Sequence, residues 1–131
     1  MSDMRRVIEL QNNAVQCIAQ AVGEKWDALV LNFEFTELDG VPTRNTIAIA
    51  FSNENGHWRR NSFIAPHECG DLLFQLSKAM AKEGGTTWRS CTLEVESSGK
   101  YKFSFSHEPP KRLNGIFDDE SLLKNYIPHA L

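Results

Sequence analysis

Cysteine is sparse in this chain, and its three copies, Cys17, Cys69 and Cys91, stand far apart. An odd, widely spaced set is a poor disulfide framework and reads as reduced thiols packed as small apolar side chains. No C-x-x-C or H-x-x-x-H spacing occurs, so no metal site is expected. His67 and Cys69 are two apart at a helix start, where side chains do not share a face. No glycine-rich phosphate loop is present: Gly84 and Gly85 precede a strand and not a helix. No apolar run approaches the roughly 20 residues that span a bilayer. Segment 1–10, MSDMRRVIEL, has an acid ahead of Arg5-Arg6 and no continuous apolar stretch after them. That reads against a secretory leader and leaves the cytoplasm as the expected address. A basic excess is also lacking. Lys and Arg number 14 against 17 Asp and Glu, a net charge of −3. The basic residues are scattered, with Arg5-Arg6, Arg59-Arg60 and Lys111-Arg112 the largest groups. Direct binding to DNA or RNA is therefore not expected, and a basic protein partner suits the surface better.

What is present is a soluble globular composition, 41% hydrophobic and 24% charged over 131 residues. That is one domain, 1–131. The clearest element is Trp88–Phe105. Cys91, Leu93 and Val95 alternate with Thr92, Glu94 and Glu96. After Ser97-Ser98-Gly99-Lys100, Tyr101, Phe103 and Phe105 alternate with Lys102, Ser104 and Ser106. Two period-two runs around one glycine turn predict a β-hairpin.

Residues 4 to about 22 read as an amphipathic helix on Met4, Ile8, Val15, Ile18 and Val22, stopped by Gly23. Leu29, Leu31, Phe33 and Phe35 share one parity of a strand, and Asn32, Glu34 and Thr36 the other. Asp39-Gly40 is a turn, and Pro42 is expected to delay the next strand, which Ile47, Ile49 and Phe51 define. Asn55-Gly56 turns into a weaker third strand, His57 to Ile64. Pro66 opens a second helix with stripe Leu72, Leu73, Leu76, Ala79 and Met80, and Gly84-Gly85 closes it. Ser121 to Ile127 reads as a short final helix.

The expected fold is α+β, in the order α-β-β-β-α-β-β plus a short C-terminal helix. One antiparallel sheet of about five strands carries both main helices on the face of Leu31, Phe33, Ile49, Leu93 and Phe103. The other face, with Glu34, Thr46, Ser52, Glu94, Glu96, Lys102 and Ser104, is expected to meet water or a partner. Trp26, Trp58 and Trp88 are expected to cap the sheet's ends and staple it to the helices; alternatively, Trp58 beside Arg59-Arg60 is exposed to a partner.

No acid–base, nucleophile or ligand set stands out, and Cys91 lies on an apolar strand parity. No catalytic residue and no cofactor is expected. Asp118-Asp119-Glu120 reads as the first turn of the last helix, where acids suit the dipole, or as a charged contact to a basic partner.

The run W-x-S-x-T-L-x-V-x-x-x-G-K-Y-K-F-x-F at Trp88–Phe105 resembles the YezG-like immunity proteins. The N-terminal helix, the first strand at Trp26–Phe35 and the segment Asn114-Gly115-Ile116-Phe117-Asp118 extend the likeness over most of the chain. Members are small α+β antitoxins of bacterial polymorphic-toxin and contact-dependent inhibition systems. The resemblance implies stoichiometric neutralisation of a cognate toxin's C-terminal domain, often a nuclease with a basic groove, and offers no catalytic residues. The expected partner-binding residues are Phe117, Asp118, Asp119 and Glu120, together with Glu34, Glu94 and Glu96 on the polar sheet face. The alternative is a small ligand-binding domain or enzyme with a pocket between sheet and helices.

Overall fold

A computed structural model describes residues 4–85 and 87–131, apart from the side chain of Leu38. The chain runs α1 (Met4–Ala21), β1 (Ala28–Leu38), β2 (Val41–Glu54), β3 (His57–Phe63), α2 (His67–Lys82), β4 (Ser90–Glu96) and β5 (Tyr101–Ser106). A 3-10 turn at Arg112–Asn114 follows. The strands form one open antiparallel sheet, ordered β3-β2-β1-β4-β5. The α+β class, the element order through β5 and the five-strand sheet are those expected.

Turn chemistry sets the hairpins. Asp39 and Gly40 have φ of 52° and 78°, and Asn55 and Gly56 have 54° and 83°. Two successive left-handed residues match the twist of paired strands, and Asp-Gly and Asn-Gly adopt them at least strain. Pro42 lies inside β2, opposite Glu37, and does not delay the strand. β3 pairs with β2 only from Ala48 onward, so the missing N–H of Pro42 falls where no outer strand reaches.

α1 and α2 pack on the sheet face bearing Leu29, Leu31, Phe33, Phe35, Ala48, Ala50, Cys91, Leu93 and Val95. Phe103 and Phe105 join this core from the edge strand β5. Trp88 is buried among Phe33, Phe35 and Phe105, and its Nε1 donates to the Met80 sulfur at 3.3 Å. Trp26 packs partly into the same core, whereas Trp58 stays exposed, its ring edge-on to Phe51.

Further expectations are corrected. The buried stripe of α1 is Val7, Leu10, Ala14 and Ile18, while Met4 and Ile8 face solvent. Both stripes have helical spacing, and contact with α2 and the sheet decides between them. Ile49 does not face the helices. Opposite Val30 in the register, it lies with Ile47, Phe51 and Ala28 on the other face. Ala48 and Ala50 take the helix side, where small side chains allow close approach. The last segment is not a helix. One helical closure, Leu122 N to Asp118 O at 3.1 Å, begins it, and Leu123 then turns to φ 57°. So short a helix is marginal without tertiary support, and here the tertiary contacts favour turns.

The face expected to be open is largely covered. Residues 107–131 cross it as a strap, with Leu123 and Tyr126 packed over Val30, Ile49 and Phe51.

Candidate partner-binding surface

The strap is held by arginine. Arg112 follows Pro109 and Pro110 and enters the far face of the sheet. Its Nε donates to Asn45 Oδ1 at 2.7 Å, and Nη1 donates to Asn32 Oδ1 at 2.8 Å and to the Ser121 carbonyl at 2.7 Å. Nη2 reaches the Asn32 carbonyl at 3.1 Å. Glu34 supplies the counter-charge, Oε2 lying 3.3 Å from Nη1, and its Oε1 accepts the Leu113 N–H at 3.1 Å. A fork of five donors suits such a site, since each buried N–H needs an acceptor. Burial pushes the guanidinium below its ordinary pKa, against the pull of Glu34.

A second arginine holds the strap's far part. Arg60 on β3 donates to the Leu123 carbonyl at 2.6 Å and the Lys124 carbonyl at 2.8 Å, with its guanidinium over the Phe51 ring. The sheet acids complete the attachment. The Tyr126 hydroxyl donates to Glu94 at 2.8 Å, and the Leu131 N–H donates to Glu96 at 3.0 Å. Burial and the adjacent Glu94 carboxylate hold the Tyr126 phenol protonated well above its ordinary range.

The sheet acids therefore do not form a free charged patch. Glu34 and Glu94 are buried, and Glu34, Glu94 and Glu96 each bind the chain's own C-terminal segment. Their reading as exposed partner contacts is corrected, because unpaired carboxylates on a central strand face would be too costly to bury.

The other expected patch is displayed. Gly115, at φ 78°, turns the chain after the 3-10 turn. Ser121 then closes the loop, its hydroxyl donating to the carbonyls of Ile116 and Asp118 and its N–H to Asp118 Oδ1 at 2.7 Å. Asp118 is thus a cap, and the Ser121 N–H, followed by Lys111, holds its carboxyl below the usual range. Lys111 also lies 3.5 Å from Glu120, while Lys124 is 4.0 Å from Asp119. Ile116 and Phe117 project from this closed loop, 48% and 63% exposed.

No family model and no curated protein matches the chain.

Other expected positions are ordinary in their surroundings. His67 lies against Arg44 and Asp71 at the start of α2, and Cys69 is buried beneath it. Burial, and then the neighbouring thiol of Cys17, pushes the Cys69 pKa up; burial alone does so for Cys91. Among the described residues, no group of three or more His, Cys, Asp or Glu is arranged to hold a metal ion, and no helix is long and apolar enough to cross a membrane. The layer between sheet and helices is filled by side chains. The openings at its rim are a crevice of about 160 Å³ between Val22–Lys25 and β2–β3 and one of about 300 Å³ between Phe35–Glu37 and Lys78.

Sequence reasoning missed Arg112, Arg60 and Tyr126. One signal was available: Asn32 and Glu34 interrupt the apolar run of β1, and polar side chains on a central strand require partners.

Proposed function

We propose that this chain is an immunity protein. It binds the C-terminal domain of a cognate bacterial toxin, a nuclease, one to one in the cytoplasm, and has no catalytic activity of its own. The observation that carries the reading is the Ile116–Phe117 pair. Two large apolar side chains stand in solvent on a loop anchored through the buried Arg112 and closed by Ser121. An aromatic anchor on a pre-ordered loop loses little entropy on binding, which is how a few residues come to dominate an interface. Asp118, Asp119 and Glu120 outnumber the neighbouring Lys111 and Lys124, which leaves the rim a net negative sign that matches a groove built to hold nucleic acid. The net charge of −3 and the likeness of the Trp88–Phe105 run to the YezG-like family agree with this reading.

The test is titration of the purified chain with the C-terminal toxin domain encoded by the adjacent gene, read by calorimetry and by nuclease activity. Binding should quench the nuclease at a one-to-one ratio. Phe117→Ala should weaken it by about tenfold or more with the melting temperature unchanged. A wild-type chain that neither binds nor inhibits the domain would overturn the proposal.

A further inference from the structure

Part of β2 lies at an open edge of the sheet. β2 spans Val41–Glu54, yet β3 pairs with it only between Ala48 and Glu54. From Val41 to Ile47, β2 has β1 on one side and, among the described residues, no strand on the other. Bare sheet edges are usually blunted, because their free N–H and C=O groups recruit another strand. Here Pro42 blunts only the distal end of the edge.

Beside this edge lies a groove of about 680 Å³, bounded by Ile47, Ser62, Ile64 and the strap residues Leu122 and Lys124, with Arg60 across it. Its chemistry is of two kinds. Ile64 is 94% exposed, an extreme for isoleucine, and Ile47 and Leu122 extend the apolar surface. The charged side chains of the lining are Arg60 and Lys124; Lys124 lies 4.0 Å from Asp119, outside the lining, so Arg60 carries the slot's uncompensated charge. The hydrogen bonds of Arg60 go to neutral carbonyls, which leave its charge in place. A cationic, apolar slot that meets the open stretch of β2 at Thr46 and Ile47, on a chain of net charge −3, calls for a partner with the opposite features.

We infer that the β2 edge from Thr43 to Ile47 is a strand-addition site for an extended segment of a partner polypeptide that carries both apolar and acidic residues on one face. Backbone pairing to β2 supplies affinity. Ile47, Leu122, Arg60 and Lys124 all lie on the strap side of the sheet, so one face of the added strand sets apolar side chains against Ile47, Ile64 and Leu122 and carboxylates toward Arg60 and Lys124, while its other face stays polar. This surface is separate from the Ile116–Phe117 loop, and the inference does not depend on the proposed toxin.

The experiment uses the full chain and a fluorescein-labelled peptide, Val-Thr-Glu-Thr-Val-Thr-Glu-Thr, in which valine and glutamate share one strand face, with a Lys-for-Glu version as control. Anisotropy should show saturable binding of the acidic peptide at micromolar concentrations, about tenfold or more tighter than the control. Amide hydrogen exchange should slow at Thr43–Ile47 in its presence. Ile64→Asp and Lys124→Glu alter exposed side chains and should leave the melting temperature unchanged; together they should weaken the peptide by about tenfold or more. Several outcomes would overturn the inference. These are no binding at millimolar peptide, binding indifferent to both substitutions, or protection at β5 instead. Self-association of the chain that protects Thr43–Ile47 without peptide would assign the slot to a second copy. Binding of a uridine oligonucleotide that Lys124→Glu abolishes, with the peptide inert, would assign it to nucleic acid.

Discussion

Arg112 and Glu34 form an ion pair at 3.3 Å with 2% and 5% of their side chains exposed. The guanidinium also bonds β1, β2 and the strap, so one residue joins three parts of the chain. A buried pair of this kind is not a large net stabiliser, but breaking it from one side leaves a carboxylate stranded. Arg112→Met should destabilise the fold by about 3–5 kcal/mol in urea denaturation. The double variant Arg112→Met with Glu34→Leu should recover part of that loss. A single-variant loss under about 1 kcal/mol would mean that Glu34 finds water instead.

The helix-facing core predicts a graded response. Leu93 is wholly buried on β4 and should cost about 2–5 kcal/mol as Leu93→Ala. Phe103 faces the same core but keeps part of its ring in solvent on the edge strand. Phe103→Ala should therefore fall below the usual range for a buried phenylalanine, at about 2 kcal/mol. Equal losses, measured by chemical denaturation, would argue that β5 is covered in solution.

Asp118 gives a pH signature. Its carboxyl is held below 3.8, the value of an unperturbed aspartate, by the Ser121 N–H and then Lys111. A depressed folded value means that the cap stabilises above pH 3.8 and is lost as pH falls through the folded value. Lys111 has the opposite sign. Raised above its ordinary 10.5, chiefly by Asp118, it contributes below that pH and ceases to as pH rises through its folded value. The carboxyl carbon of Asp118, followed by NMR, should titrate below 3.8 in the wild type and shift upward in Lys111→Ala. An unshifted midpoint in the wild type would contradict the cap.

The thiols should separate by burial. Cys69 and Cys91 are buried, with thiolate formation disfavoured, and Cys17 is half-buried. An aromatic disulfide reagent at pH 8 should leave Cys91 untouched until the chain unfolds, when all three react. Rapid modification of Cys91 in the native protein would show that β4 opens.

The two acidic groups expected as partner patches should behave differently. Asp119→Lys with Glu120→Lys changes exposed side chains and should leave stability within about 0.5 kcal/mol while slowing association with a basic partner. Reversing Glu34, Glu94 and Glu96 should loosen the strap and lower the melting temperature, because each carboxylate accepts a hydrogen bond from it. Kinetics and thermal melts on both variants separate the two effects.

The sequence by itself determined what depends on near neighbours. Alternation marked β4 and β5, Asp39-Gly40 and Asn55-Gly56 specified the turns from β1 to β2 and from β2 to β3, and Pro66 with Gly84 bounded α2, because backbone sterics act over a few residues. The exposed acids Asp119 and Glu120 and the apolar Phe117 were legible in the same local way. Only the tertiary structure decided which face of β2 meets the helices, since Ile47, Ile49 and Phe51 and the alternating Ala48 and Ala50 are both apolar sets. It also decided which helical stripe of α1 is buried and that the C-terminal segment becomes a strap. The contacts that hold the strap join Arg112 to Asn32 across 80 residues and Arg60 to Lys124 across 64. No local pattern encodes them: a buried charge can be paired by any residue that the folded chain brings within reach.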